Sequence, residues 1–297
     1  MSGPEIVPLA DGRRLRMRHG PIDLVVEAFG APRERAAAHD QAAARFAGLL
    51  AELVAELPAL RRPAEDPPRR FAGPVAARME AAAAAHRPVF ATPMAAVAGA
   101  VADAVLAAMV AGRRLDRAYV NNGGDVALHL APGTQIDAAI AGTGHGFADR
   151  VRIAAAEPVR GLATSGWRGR SLSLGIADAV TVLAASAAQA DVAATLIANA
   201  VDLPGHPAIV RLPATRIDPD SDLGDRPVTR AVGPLPRAAV AAALARGLAA
   251  AEACRRRGLI VAAALFLAGE SRLCGAPAFS VPPAAGRPRA RRALERT

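Results

Sequence analysis

The sequence predicts an α+β fold, and two features of the chain indicate it. Between residues 118 and 183, six short strand-like segments are separated by stretches that contain glycine. Segments with apolar residues at helical spacing lie before and after this region. Strands concentrated in the middle with helices at both ends favour layered α+β architecture over regular βαβ alternation.

The N-terminal third is expected to begin with two short strands, residues 15–18 and 22–28, joined by a turn at 19–21. A helix is predicted over 34–57, where the apolar residues recur at helix-like spacing. Segment 58–74 contains five prolines and several charges, which predicts an exposed connector. Two alanine-rich helices are expected after it, near 75–86 and 93–111.

The middle strands are predicted at 118–121, 125–130, 135–141, 151–155, 162–165 and 179–183. A helix follows over 186–200, and then a short strand near Ile209 and a Pro/Asp-rich loop over 213–234. Another helix is expected over 236–257. The final apolar run, 258–267, is compatible with either a strand or a helix.

Composition is that of a globular protein from a reducing compartment. Hydrophobic residues make up 52% of the chain, and its two cysteines suggest neither a disulfide framework nor a metal-binding pair. The N-terminus lacks the features of a signal peptide, and Pro93, Asp103 and three arginines at 255–257 interrupt the apolar stretches. We therefore expect a cytoplasmic protein with no membrane-spanning segment.

The net charge of +9 does not by itself predict specific nucleic-acid binding. All 36 basic residues are arginine, and aromatic residues are only 3% of the chain, so stacking platforms beside the basic residues are not expected. Five arginines lie in segment 281–297, for which we predict a disordered Pro/Arg tail. Residues 1–280 are expected to form a single domain, in which segment 58–74 would connect the lobes if there are two.

The helix at 186–200 carries the most informative pattern in the chain. Ser186 and Gln189 have the spacing of a capping box, which marks a helix start. Asp191, Thr195 and Asn199 recur every four residues and so share one face of a helix that is otherwise almost entirely apolar. A carboxylate one turn from a hydroxyl offers hard oxygen ligands to a divalent cation. The same stripe could also be the solvated face of an ordinary amphipathic helix.

Two more polar motifs lie at predicted strand ends, N-N-G-G-D at 121–125 and A-T-S-G at 163–166. In the first, the glycines favour a tight hairpin turn and also allow a ligand to approach the backbone. In the second, adjacent hydroxyls could form the edge of a polar pocket or an ordinary turn. His145 lies in a glycine-rich loop that could border a cleft, although a structural or surface role is the simpler explanation.

Taken in order, these motifs resemble the ApbE-like superfamily, whose characterised members are FAD:protein FMN transferases. The matching segments are P-M-A-A-V-A-G-A at 93–100, the motifs at 121–125 and 163–166, S-L-S-L-G-I-A-D-A-V-T-V at 171–182 and A-D-V-A-A-T at 190–195. Their variants look closer to a compact cytoplasmic branch classed as an uncharacterised protein family (UPF) than to the flavin transferases themselves. The resemblance covers roughly residues 10–275 and implies a central, mostly antiparallel sheet with flanking helices and a ligand cleft.

The resemblance implies that Asp191 and Thr195 bind Mg²⁺ in contact with the pyrophosphate of FAD. It also implies cofactor-binding positions at the motif residues Asn122, Gly123, Gly124, Asp125, Thr164, Ser165, Gly166 and Asp178. Binding of FAD or a related flavin nucleotide or diphosphate would then allow hydrolysis, or transfer of FMN to a protein partner. A homodimer is compatible with the sequence.

One departure from the family pattern favours an alternative function. The transferases carry a His-x-x-Asp-Pro type of segment where this chain has S-L-G-I-A-D at 173–178. The alternative is a non-catalytic binding or assembly module in a redox or sulfur pathway, since archaeal relatives in this branch are linked to homocysteine formation.

Overall fold

The computed structural model describes residues 3–140, 150–275 and 279–280 of the 297-residue chain. His145 and the predicted tail at 281–297 lie outside these described residues. The helices are α1 (Pro32–Ala55), α2 (Leu57–Leu60), α3 (Pro74–Ala84), α4 (Val97–Val110), α5 (Ala187–Ala200) and α6 (Arg237–Arg256), with short 3-10 turns at Pro93–Ala96 and Ala214–Arg216. The strands are β1 (Glu5–Pro8), β2 (Arg14–His19), β3 (Ile22–Gly30), β4 (Leu115–Asn122), β5 (Asp125–Leu130), β6 (Gln135–Ala139), β7 (Arg150–Ala154), β8 (Gly161–Ser165), β9 (Ala179–Ala184), β10 (Ile209–Pro213), β11 (Pro227–Val232), β12 (Ala262–Leu267), β13 (Glu270–Cys274) and β14 (Phe279–Ser280).

The predicted α+β class is confirmed. Nine of the strands form one sheet in the order β1-β2-β3-β4-β5-β8-β9-β12-β13, and every neighbouring pair in it is antiparallel. A three-stranded sheet, β14-β7-β6, and a separate pair, β10-β11, complete the strand pairing of the described residues. The apolar run at 258–267, which the sequence left open, contains strand β12. Strands β1, β11, β13 and β14 were not predicted.

Both faces of the second half of the main sheet are buried. Along β12, Ala263, Leu265 and Leu267 pack with α5 and α6. The alternate residues of this strand pack in a cluster with β6 and β7 residues such as Ile136 and Ile153. Because successive strand residues point to opposite faces, a continuous apolar strand is what a sheet covered on both sides requires.

The connector at 58–74 is less exposed than predicted. Leu60, in the short helix α2, is fully buried, and Arg69 pairs with the fully buried Glu80 of α3 at 2.8 Å. The Glu80 carboxylate also accepts hydrogen bonds from the backbone N–H groups of Glu65 and Arg69. A buried carboxylate needs such partners, so the proline-rich segment is held against α3.

One apolar stretch, Pro93–Val110, is long and apolar enough to cross a membrane by length and composition alone, although 56% of it is buried within the fold. It packs against α1, α5 and strands β4 and β5. These contacts are those of a core helix.

Candidate functional site

A cleft of about 640 Å³ lies at the ends of central strands of the main sheet, where the β4–β5 hairpin turns and where β8 ends. All ten residues singled out from the sequence line it, although they come from four separate segments. They are Asn122, Gly123, Gly124, Asp125, Thr164, Ser165, Gly166, Asp178, Asp191 and Thr195. The fold therefore brings the sequence motifs into one cavity, while the role of each residue in binding stays a prediction.

The N-N-G-G-D motif forms the two-residue hairpin turn that its glycines predict. Gly123 and Gly124 have φ angles of +67° and +118°, a region of backbone conformation that favours glycine. The Gly124 N–H donates to Asn121 Oδ1 at 2.9 Å, and Asn122 Nδ2 donates to the Ala98 carbonyl at 3.2 Å. The second bond ties the turn to the start of α4. The motif thus builds the hairpin and also one wall of the cleft.

Asp125 follows the turn and accepts a hydrogen bond from the Thr164 N–H at 3.3 Å. Protein surrounds its carboxylate on most sides, with some surface left open to the cleft. Burial raises the pKa of Asp125, while the Thr164 amide and the positive charge of Arg170 act in the opposite direction.

Asp191 lies close enough to Asp125 for the two carboxylates to repel each other. Burial raises the pKa of Asp191 well above its usual range, and the neighbouring charge of Asp125 raises it further. The N–H groups of Gly99 and Ala98 oppose this shift, with Gly99 donating to Asp191 Oδ2 at 2.9 Å. Two half-buried carboxylates that disfavour each other's charge are a setting in which a bound cation is stabilising.

Helices α4 and α5 cap each other's first turns. Asp191 of α5 accepts from Gly99 near the start of α4, and Asp103 of α4 accepts from Ala187 and Ala188 at the start of α5, each at 3.0 Å. The helices approach so closely that a Cβ on Gly99 would lie 2.2 Å from the Ala187 carbonyl oxygen. Of the predicted capping box, the structure has the hydrogen bond made by the serine, in which the Gln189 N–H donates to Ser186 Oγ.

The polar stripe on α5 divides between two tasks. Asp191 and Thr195 line the cleft, whereas Asn199 does not. Its side chain accepts from the Leu174 N–H at 2.9 Å and so fastens the loop that precedes β9. The predicted carboxylate–hydroxyl pair is therefore at the cleft, and the third member of the stripe has a structural role.

The A-T-S-G motif ends β8 at the same cavity. Thr164 Oγ1 hydrogen-bonds Thr181 Oγ1 of β9 at 2.8 Å, and Thr181 is fully buried. Gly166 is required by close packing, because a Cβ there would lie 2.5 Å from the Asp178 carbonyl oxygen. The Thr164 and Thr181 hydroxyls line the cleft. Gly166 allows the end of β8 to approach the start of β9.

Asp178 lines the cleft but is bound to other parts of the protein. Its carboxylate accepts from Arg168 Nε at 2.5 Å, from the Ala268 N–H at 2.6 Å and from Trp167 Nε1 at 3.3 Å. These bonds join the loop after β8 to the turn between β12 and β13. Its main observed role is to position these neighbours.

Several cleft residues were missed from the sequence, chiefly Arg168, Arg170 and Tyr119. The two arginines belong to an R-G-R segment directly after Trp167, so their position beside the A-T-S-G motif was an available signal. Tyr119 donates to Glu27 at 3.0 Å, and burial followed by this bond raises its pKa to about 12. It therefore stays protonated at physiological pH.

The donor set suits a hard divalent cation such as Mg²⁺, since it combines two carboxylates with the hydroxyl of Thr195. Within the described residues, no group of three or more His, Cys, Asp or Glu side chains has the arrangement of a complete metal site. Because Mg²⁺ commonly keeps several waters and binds through one or two carboxylates plus ligand phosphates, such a sparse protein set still fits it.

The fold and cleft define an α+β protein with a polar, carboxylate-containing cavity at one end of an antiparallel sheet. The chain belongs to the family described as "AbpE bacteria", whose model matches residues 7–273. A curated relative, the UPF0280 protein of Methanothrix thermoacetophila, is 36% identical over 127 residues, which is 37% of this chain and 46% of the relative. The match thus spans about half the length of that relative, whose name specifies neither a ligand nor a reaction.

Proposed function

We propose that the cleft binds FAD, or a related nucleotide diphosphate, together with Mg²⁺. The observation that carries the proposal is the convergence of four separate motifs on one cavity that contains the Asp125 and Asp191 carboxylates together with several hydroxyls. Its volume of about 640 Å³ lies within the range of roughly 300–1,000 Å³ that is usual for small-molecule sites. The motif resemblance to the ApbE-like superfamily supports the choice of a flavin nucleotide.

Each cleft element has a defined part in this proposal. Asp191, Thr195 and Asp125 would hold the cation, and the hairpin glycines would let the ligand approach the backbone. When bound, Mg²⁺ would neutralise charge that develops on a diphosphate as its bond breaks. Transfer of FMN to a protein hydroxyl, hydrolysis with release of AMP, and a cytoplasmic location are further parts of the proposal.

A non-catalytic binding module is the second candidate, and Asp178 favours it. This residue ends the segment that departs from the transferase pattern, and its carboxylate is already engaged by three protein donors. A carboxylate committed in this way is poorly placed to act on a ligand. Sustained AMP release from FAD with Mg²⁺ would exclude this second candidate.

Calorimetric titration with FAD, with and without Mg²⁺, tests the leading proposal. The informative variant is Asp191→Asn, because an asparagine oxygen can still accept from Gly99 while the negative charge is removed. We expect metal-dependent FAD binding in the wild-type protein and at least tenfold weaker binding in this variant, the loss of one charged contact.

Two comparisons make the titration specific. Thr195→Val removes the second proposed ligand at nearly constant volume, and Asp116→Asn removes a carboxylate on the exposed part of β4, which does not line the cleft. We expect weaker binding in the first and wild-type binding in the second. A folded Asp191→Asn protein with full metal-dependent FAD binding would contradict the metal role of Asp191.

A further inference from the structure

Three of the six described charged residues that line the cleft are paired with a neighbour of opposite charge. Arg168 pairs with Asp178 at 2.5 Å and its guanidinium lies over the Trp167 ring, 4.8 Å from the centroid. Asp137 pairs with Arg152 at 2.7 Å. Each of these charges is therefore partly balanced by an opposite charge within the protein.

Arg170 differs from these residues. It is exposed at the cleft and makes no ion pair with any carboxylate of residues 3–140 or 150–275. Asp23, which senses its charge, is committed to Arg16 through bonds of 2.9 and 2.6 Å. Asp125 also senses this charge but lies outside ion-pair distance, so among the described lining residues Arg170 supplies a positive charge that is not held in a salt bridge.

The hairpin turn fixes where this charge lies. Arg170 is packed so closely over Gly123 that a Cβ on that glycine would lie 2.3 Å from Arg170 Nη2. The guanidinium thus lies against the N-N-G-G-D turn at Gly123, which precedes Asp125 by two residues. Arg170 thus brings a cationic group into the same cleft as the carboxylates of Asp125 and Asp191.

We infer that Arg170 is the anion-recognising residue of this cleft and that it selects ligands carrying a phosphoryl group next to the bound cation. A metal–phosphate pair matches both charges, because the cation meets the two aspartates while a phosphate oxygen meets the guanidinium. Arginine is suited to this task since its planar donor fork binds phosphate oxygens in pairs. The inference rests on the proposed function only in taking this cleft as the ligand site.

The inference predicts which ligands depend on Arg170 for their affinity. FAD and inorganic pyrophosphate both present phosphate oxygens and should depend on Arg170. Riboflavin has the same ring system as FAD but no phosphate, so substitution of Arg170 should leave the affinity for riboflavin unchanged. An exposed charge is also screened by salt, so the Arg170-dependent part of the affinity should fall as ionic strength rises.

The test compares wild-type protein with Arg170→Gln and Arg170→Lys by calorimetry, using FAD, pyrophosphate and riboflavin in the presence of Mg²⁺. Arg237→Gln is the matched control, because Arg237 is 89% exposed and pairs with Glu270 outside the cleft. We expect Arg170→Gln to weaken binding of FAD and pyrophosphate about tenfold or more, because a hydrogen bond to a charged group typically contributes that much to affinity. Arg170→Lys should recover part of the loss, and the control should match the wild-type protein.

The possible results separate this inference from the proposed function. If wild-type protein binds FAD and Arg170→Gln binds it equally well, the inference is wrong and the proposed function stands. Binding of pyrophosphate that depends on Arg170, without binding of FAD, would support the inference and remove the flavin from the proposal. Failure of the wild-type protein to bind either ligand would overturn both.

Discussion

At the scale of single residues, the Asp191 carboxylate has two roles, as a cap of helix α4 and as a proposed cation ligand. Its Oδ2 accepts a hydrogen bond from the Gly99 N–H near the start of α4, and its carboxylate is close enough to Asp125 for the two groups to repel each other. Truncation to alanine would remove the helix cap and the charge together and could not distinguish them. Asparagine separates the two roles, which is why the binding experiment depends on that substitution.

His86 provides a residue-scale prediction about pH. It is 3% exposed, and burial followed by the positive charge of Arg257 lowers its pKa to about 4 from an ordinary 6.5. Above pH 6.5 the residue is neutral in both states and contributes no pH dependence. Between pH 6.5 and about 4 only the unfolded chain takes up the proton, so the folded state loses stability as pH falls.

Urea unfolding at pH 7.5 and pH 4.5 measures this contribution in the wild-type protein and in His86→Gln. We expect His86 to account for about 2 to 3 kcal/mol of the stability that the wild-type protein loses between these two pH values. The variant should therefore show a smaller pH difference by that amount. An unchanged difference would mean that His86 is protonated in the folded protein or is not buried.

At the scale of elements, the crossing of α4 and α5 fixes the geometry of the cleft. Asp103 is 8% exposed and accepts the two free N–H groups at the start of α5, the helix that carries Asp191 and Thr195. Helix starts leave such N–H groups without intrahelical partners, and a buried one must be satisfied from elsewhere. The cap from α4 therefore supports the site residues on α5.

We predict that Asp103→Ala lowers the free energy of unfolding by about 2 kcal/mol, the usual cost of losing a helix cap with buried donors. Asp103→Asn should lose less, because its amide oxygen can still accept one of the two bonds. Chemical denaturation gives both values, with the exposed Asp116→Ala as the control. If Asp103→Ala were as stable as the control, the cap would contribute nothing to the fold.

The elements also show what could be predicted from the sequence and what could not. Asp191 and Thr195 were found because their spacing and their apolar surroundings are local properties of one helix. The caps that α4 and α5 give each other were not found, because residues such as Asp103 and Ala187 are far apart along the chain and meet only through tertiary packing. Arg170 was missed since, in a chain whose basic residues are all arginine, composition does not single it out.

At the scale of the whole molecule, α5 joins two parts of the core. Ala187, Ala188 and Val192 pack in the cluster built on α1, α4 and strands β2–β4. Ala190, Ala193 and Ile197 of the same helix pack with α6, β9 and β12. The continuous sheet and this shared helix connect the two ends of the fold.

This connection predicts that the two ends unfold together. Trp167 is the only tryptophan, and it lies beside the cleft, where it donates to Asp178. Its fluorescence therefore reports on the cleft, whereas far-ultraviolet circular dichroism reports on the whole backbone. We expect both signals to change at the same denaturant concentration, as one cooperative unit requires. An earlier fluorescence transition would show that the cleft end opens as a separate unit.

The mutual capping of α4 and α5 also lowers the entropic cost of recognition. The Asp191 side chain is held by the Gly99 amide without any contribution from a ligand. Side chains that are ordered only upon association each cost about 0.5–1.5 kcal/mol, and this residue has already lost that freedom during folding. The cleft is thus preorganised at its acidic end, and the entropic cost of binding falls mainly on the ligand.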